Sequence, residues 1–492
     1  MTPRPPRGSA SRSIGAAALA EQLGDWSGSG AAYRQLAQAL RQLILDGRLA
    51  LGVRLPGERE TAAALRLSRT TVAAAYLQLR DEGFLSTRRG SGSLTTLPEA
   101  QTLPSLLRPF DPAGSADDGL LDLAYATLPA PEGLHRAYAA ALQALPAHLP
   151  GHGYAPAGLP VLRQVIAERY AHQGLPTSAE QIVVTFGAQH ALSLLVRVLT
   201  CAGERVLVDH PTYLHALDTF REEGCQIVPV ALGSGGWDLA GLRAAIRQTA
   251  PRLAYLIPDF HNPTGHCMPE AQRRSVIEAA HQGRTTLIVD EVLSDLWLDG
   301  AAPAPFASFD ARAQVVSIGS LSKSFWGGLR LGWMRVPPAL AQQVMAARSA
   351  SDLGAPTLEQ LTAAHLLADA GPMLERRRET LRRQRDALHA ALGLHLPEWR
   401  YHLPQGGLSL WAALPQPVSS LLASTSERFG VRVIAGPRFG TQGQFERHLR
   451  LPFTLPETEL GEAVGRLARA VRALPQEHHR SAEPARGVLS GV

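Results

Sequence analysis

The stretch Val315–Gly332, VVSIGSLSKSFWGGLRLG, decides how the rest of the chain is read. Its opening, Val315–Ser320, is short, apolar and β-branched, the pattern of a strand buried on both faces. The hydroxyls of Ser320 and Ser322 then lead into Lys323, and Arg330 follows seven residues on. Of 48 Lys and Arg residues, Lys323 is the one lysine. Arginine can replace lysine at most ion pairs and phosphate contacts. It cannot attack a carbonyl as a neutral amine, because a guanidinium stays charged at any accessible pH. A single retained lysine therefore points to Schiff-base chemistry, with two hydroxyls and an arginine placed to hold an anion beside it. Codon bias is the compositional alternative, and the neighbours of Lys323 argue against it.

Working outward, further short apolar runs read as strands of the same sheet: Gln181–Thr185, Arg205–Asp209, Gln226–Val230, Ala254–Pro258 and Thr286–Asp290. Helical patterns such as Ala188–Leu199 and Pro269–His281 lie between them, which gives repeated βαβ units and a mostly parallel sheet. Ligands of such sheets sit beyond the carboxyl ends of the strands, and the polar signals fall there. Gln181–Thr185 runs into Phe186-Gly187-Ala188-Gln189, a glycine turn opening a helix and hence an anion cradle. Ala254–Pro258 runs into Asp259-Phe260-His261-Asn262-Pro263-Thr264-Gly265, and Thr286–Val289 ends in Asp290-Glu291.

The chain has 492 residues, is 45% hydrophobic and contains no apolar run long enough to span a membrane, consistent with two or three globular domains. The Pro-, Arg- and Ser-rich N-terminus lacks a compact apolar core, which argues against a secretory signal. Cys201, Cys225 and Cys267 lack metal-ligand spacing and read as thiols of a reducing cytoplasm; no metal site is expected. Charge is uneven. Residues 30–97 hold ten Arg against five acids, which accounts for the whole net charge of +5. A basic module on a neutral body is the electrostatic footprint of a nucleic-acid binder.

Within that module, Ala32–Gly47 has helical apolar spacing (Leu36, Leu40, Leu43, Ile44), and a Gly- and Pro-containing break covers Leu51–Gly57. A short helix follows over Glu60–Leu67. Ser68 is placed to cap another helix running to about Glu82. Phe84–Thr96 reads as a hairpin with Arg88-Arg89-Gly90-Ser91-Gly92 at its tip. Three helices and a hairpin form a winged helix-turn-helix, whose second motif helix presents its N-terminal residues to base edges. The stretch LPGERETAAALRLSRTTVAAAYLQLRDEGFLSTRRGSGS resembles the DNA-binding domain of GntR-type regulators. The resemblance implies contacts to double-stranded operator DNA from Arg59, Arg69, Thr70, Thr71, Arg88, Arg89 and Gly90. Ala73 departs from it, since many such proteins carry a further arginine there.

The larger part, from about Leu121 to Leu474, resembles the fold-type-I aminotransferase domain that binds pyridoxal 5′-phosphate (PLP). The resemblance implies that Lys323 forms the Schiff base with the cofactor, Asp290 pairs with its pyridine nitrogen and Asn262 bonds its ring hydroxyl. Tyr213 would stack on the ring. Gly187, Ala188, Gln189, Ser320, Ser322 and Arg330 would surround the phosphate, joined by Tyr154 reaching over from a neighbouring subunit. Arg450 would hold a ligand carboxylate. Read without the family, Arg450 also fits a surface ion pair, Tyr213 and Tyr154 core or rim aromatics, and Asp290-Glu291 a helix N-cap. Leu293 is a departure: many aminotransferases place a tyrosine there, and its absence puts efficient transamination in doubt.

A GntR module followed by an aminotransferase-like domain is the layout of MocR-type regulators, and the segments around Leu293 and Lys323 look most similar to a YczR-like subgroup. The fold expected is therefore multidomain, a winged helix-turn-helix plus an α/β PLP-dependent transferase fold of type I with a smaller C-terminal α+β subdomain. The boundaries expected are a disordered tail over 1–29, the module over 30–97, a proline-stiffened linker over 98–119, the PLP-binding domain over 120–474 and a second disordered tail over 475–492. The resemblance further implies a cytoplasmic, domain-swapped homodimer whose operator binding responds to PLP or to its adduct with an amino compound. The alternative is a working aminotransferase with an appended DNA-binding module.

Overall fold

The computed structural model describes residues 13–26, 30–88, 92–96 and 119–474, with Arg88 described in its backbone only. The tail expected over 475–492, most of the linker, and Arg89 and Gly90 of the wing tip lie outside the described residues.

The N-terminal module is a winged helix-turn-helix. Its helices are Ala32–Leu45, Glu58–Leu65 and Arg69–Asp81, followed by the antiparallel pair Leu85–Arg88 and Gly92–Thr95. Ser68 caps the third helix as its sequence demands: its side chain accepts a hydrogen bond from the Thr71 amide at 3.0 Å. Leu36, Leu40, Leu43 and Ile44 pack against Val72, Ala75, Tyr76 and Leu79 in one small core. One expectation is corrected here. Residues 16–23, read as part of a disordered tail, form the helix Ala16–Leu23, and its Leu19 is buried in the module core. A helix this short is marginal by propensity alone, and tertiary burial of Leu19 holds it.

The large domain carries an eight-stranded sheet. Its strands, in spatial order, are Ile182–Thr185, Gly332–Arg335, Val316–Ser320, Thr286–Asp290, Leu253–Leu256, Arg205–His210, Gln226–Gly233 and Gly236–Trp237. The central pairs are parallel, as the apolar runs predict. Gly332–Arg335 was not anticipated. It inserts antiparallel between Val316–Ser320 and Ile182–Thr185, so the latter pairs antiparallel with it. Apolar cores line both sheet faces. A smaller C-terminal unit forms a second sheet in the order Ser409–Ala413, His448–Pro452, Val431–Ala435 and Leu121–Leu123, packed on the helices Gly371–His395 and Glu457–Arg472. The strand Leu121–Leu123 therefore ties the start of the large domain to its end. Among the described residues, no helix is long and apolar enough to cross a membrane.

The module rests on the large domain of its own chain. The Phe445 amide donates to Leu45 O at 2.8 Å, and the Ser13 amide donates to Gln248 Oε1 at 3.4 Å.

Candidate cofactor site and DNA-binding face

The site lies where the parallel strands end, against the smaller unit. Val316–Ser320 delivers the turn that carries Lys323, whose Nζ donates to Ala126 O at 2.8 Å. Burial and the nearby Arg450 guanidinium push the amine down to about 8, while Asp290 favours its charged form. A lysine so tuned is much closer to supplying a neutral amine at neutral pH than an exposed one.

Thr286–Asp290 ends in Asp290. Its Oδ2 accepts from the Tyr255 hydroxyl at 2.7 Å and its Oδ1 from the Val292 amide at 3.0 Å. Burial raises the Asp290 carboxyl, while these two donors and Lys323 oppose the rise. Tyr255 was missed at the sequence level. The signal lies in strand register: Tyr255 pairs with Ile288, which puts Asp290 two residues further along the same face of the next strand.

Arg450, on His448–Pro452, is buried. One of its terminal nitrogens bonds the Ala124 carbonyl, and the other lies 3.4 Å from Asn262 Oδ1. Its guanidinium carbon stands 5.0 Å from the centre of the Phe439 ring. Burial pushes it down to about 10, and its Nε has no hydrogen-bond partner among the described residues. A buried guanidinium with a free N–H is poised for an anionic ligand; the surface ion pair is excluded. Tyr213 stands immediately before the helix Leu214–Glu222. Burial and the nearby Asp290 carboxylate push its hydroxyl up, with Arg450 and Arg330 opposing.

The anion cradle is built from two turns. Gly187 precedes the helix Ala188–Leu199 at φ 84°, a left-handed conformation that favours glycine. A Cβ on it would stand 3.8 Å from Arg330 Nη2, so the helix N-terminus and this guanidinium face each other. Ser320 Oγ lies 3.0 Å from Ser322 Oγ and 3.1 Å from Leu331 O. Gln189 turns its amide nitrogen away, to Thr219 Oγ1 at 2.7 Å, and leaves its buried Oε1 without a partner among the described residues. Tyr154 does not join the set within this chain: it is 69% exposed.

These residues fit PLP. The Asp290 carboxylate, the tuned Lys323 amine, the buried Tyr213 and the helix N-terminus facing Arg330 supply the groups that the cofactor's ring nitrogen, aldehyde, ring face and phosphate call for. Leu293 offers no hydroxyl and packs with the core of the smaller unit beside Gly407.

On the module, Arg59, Arg69 and Thr70 are exposed at the first turns of their helices. Arg69 Nε lies 3.4 Å from Glu58 Oε2. Thr71 is half-buried, and its hydroxyl is 2.7 Å from Ser68 Oγ, so it belongs to the cap as much as to the DNA-facing edge. Arg88 reaches the wing by its backbone position.

Comparison with known proteins agrees with this geometry. The profile of aminotransferase class I and II matches residues 125–467, and that of the bacterial regulatory proteins of the gntR family matches residues 32–94. The chain belongs to the class I and II aminotransferase family and carries a GntR DNA-binding domain at its N-terminus. That combination is the MocR-type architecture, and PLP is the cofactor of its large domain. The chain is 33% identical to 2-aminoadipate transaminase of Thermus thermophilus over 334 residues, covering 66% of this chain and 81% of that protein. It is 26% identical to the HTH-type transcriptional regulator YisV of Bacillus subtilis over 464 residues, covering 86% and 92% respectively. Among solved structures, LysN, the α-aminoadipate aminotransferase of Thermus thermophilus in complex with N-(5′-phosphopyridoxyl)-L-leucine, aligns with a TM-score of 0.67 and 31% identity over 72% of this chain and 92% of that one.

Proposed function

We propose that this protein is a cytoplasmic transcriptional regulator whose operator affinity is set by PLP and by an amino compound held at Lys323 and Arg450. One observation carries the reading: a GntR module is covalently joined to, and seated on, a domain with a nearly complete PLP site. The regulators YisV and YdcR align with 86% and 85% of this chain, whereas 2-aminoadipate transaminase aligns with 66% of it.

Bound there, PLP supplies an aldehyde for a primary amine and a ring that withdraws electrons from it. The chain's own groups do the rest. Lys323 presents its amine from a rigid turn. Asp290, held by Tyr255, keeps a negative charge against the pyridine nitrogen. Asn262 bonds the ring hydroxyl and Tyr213 covers the ring face. Gly187, Ala188, Gln189, Ser320, Ser322 and Arg330 hold the phosphate, and Arg450 orients the carboxylate of an amino-acid ligand. With Leu293 in place of a tyrosine, one hydroxyl that would assist proton transfer is missing, which favours sensing over turnover.

In a homodimer, Tyr154 of each protomer reaches the partner's phosphate site, consistent with its exposure in the single chain. Exchange of modules would put an identical turn into the same seat on the partner's large domain. The operator is double-stranded DNA contacted by Arg59, Arg69, Thr70, Thr71, Arg88, Arg89 and Gly90, with two half-sites per dimer.

The test is a gel shift on the gene's own upstream region, with and without PLP and common amino acids, for the wild type and Lys323→Ala. Specific binding that changes with PLP in the wild type alone supports the proposal. Absence of specific binding in every condition overturns it. The second reading, an active aminotransferase, is favoured by the lowered Lys323 amine. It requires that an amino donor convert the bound cofactor to pyridoxamine phosphate, read from its visible spectrum.

A further inference from the structure

The helix Ala32–Leu45 of the module ends in the turn Leu45-Asp46-Gly47, whose Gly47 lies against two rings of the large domain. Phe445 donates its amide to Leu45 O at 2.8 Å. Gly47 sits at φ 68°, and a Cβ there would stand 2.5 Å from Phe445 Cζ and 2.9 Å from His210 Cε1. His210 Nε2 accepts from the Thr441 amide at 3.2 Å, so its Nδ1 carries the hydrogen and points at Gly47 O, 3.5 Å away. The His210 and Phe445 rings are 4.8 Å apart, centre to centre.

The two loops that build this seat also build the ligand site. One is His210–Tyr213, which ends in the residue expected to cover the cofactor ring. The other is Gly436–Phe445, whose Phe439 lies under the Arg450 guanidinium. They are tied together by the Thr212 amide, which donates to Phe439 O at 3.0 Å. Trp411, the strand partner of Arg450, bridges the remainder: its ring is 5.4 Å from Phe439 and 5.9 Å from Phe445. A continuous path of packed groups therefore runs from Arg450 through Phe439, Trp411 and Phe445 to the backbone of Gly47. Close-packed rings shift together and rearrange between discrete packings more readily than they deform smoothly.

We infer that the turn Leu45–Gly47 and its seat on His210 and Phe445 form the contact through which a carboxylate at Arg450 acts on the DNA module. A ligand that draws the guanidinium off Phe439 repacks the 436–445 loop and changes how well the turn is seated. That difference in fit between two states is what coupling requires. The inference rests on the regulator reading and adds the surface that relays the signal. It applies whether the seated module comes from the same protomer or from its partner.

The test compares operator affinity with and without PLP plus an amino-acid ligand in the wild type, Gly47→Ala and Phe445→Leu. Gly47→Ala wedges the turn off its seat. Phe445→Leu keeps the seat apolar, removes the ring atoms that meet Gly47 and leaves the module's sequence intact. In the wild type the two conditions should differ about tenfold. In both variants the ratio should fall to about one, with PLP still bound. If the wild type is coupled and Phe445→Leu is equally coupled, the seat is not the relay and the regulator reading survives. If the wild type itself has a ratio of one, both fall. A readout free of substitutions is amide hydrogen exchange at residues 45–48: ligand must change their protection in the wild type, and unchanged protection overturns the inference.

Discussion

The two functional regions of this chain are built on opposite plans. The DNA-binding face is assembled within a short, continuous stretch of sequence. Its described arginines, Arg59 and Arg69, are exposed at helix N-termini, and Arg69 pairs with Glu58 of the neighbouring helix, within the same short module. The cofactor site gathers groups from Ala124 to Arg450, and Lys323, Asp290 and Arg450 at its centre are each held by a partner distant in sequence. An exposed cation gives affinity cheaply in structural terms but is screened by salt. A buried one must be held and desolvated by the fold, and in return its charge is felt strongly. The module can therefore change its specificity by single surface substitutions, whereas the site changes only with its surroundings.

The sharpest way to break this contrast is at Lys323. Borohydride reduction of the PLP-treated protein should label a single side chain, Lys323, and Lys323→Ala should retain none. A label confined to the N-terminal amine in the wild type would sink the site. Because the amine sits at about 8, the rate of PLP attachment should climb with pH up to about 8 and then level off. The sign follows from the reacting form: below that value the amine is protonated and inert. A rate still climbing near pH 10 would mean an ordinary, exposed lysine.

Next in size is Arg450→Gln. It removes a charged partner for the ligand carboxylate, so binding of an amino acid to the PLP-loaded protein should weaken by about 1.5–3 kcal/mol. Titration of the bound cofactor's spectrum measures it, and an unchanged midpoint would return Arg450 to a structural role. On the module, Arg69→Ala should reduce operator affinity by about 1–3 kcal/mol without altering PLP binding or melting temperature. A loss of melting temperature would show that Arg69 supports the fold instead. The smallest effect is expected at Tyr255→Phe, which removes one hydrogen bond to Asp290 and should weaken PLP binding by about 1 kcal/mol. Fluorescence titration with PLP reads it, and equal affinities would show that the Val292 amide holds Asp290 unaided.

Much of this was legible before any coordinates. The module reads directly because helix caps and turns are written in neighbouring residues, and Ser68 caps the third helix as expected. The buried strands read from their apolar runs, since the interior of a parallel sheet tolerates little else. The strand Gly332–Arg335 escaped because its two flanking strands, and not its own residues, give it a place. The helix Ala16–Leu23 escaped because an alanine-rich segment in a polar tail has one strong reason to fold, the burial of Leu19.

The sequence by itself determined the two-part architecture and the unique amine at Lys323, and its resemblance to the aminotransferase family singled out Asp290, Asn262, Arg330 and Arg450 as the groups to watch. The amine stands out because few side chains can do its chemistry, and the resemblance is visible because its motifs are short and contiguous. Only the tertiary structure decided what holds them. Tyr255 steadies Asp290, the carbonyls of Ala124 and Ala126 receive Arg450 and Lys323, Phe439 underlies the guanidinium, and Gly47 lies against Phe445. A backbone carbonyl has no signature in a residue string, and contacts between distant segments depend on register and packing, which are settled when the chain closes on itself.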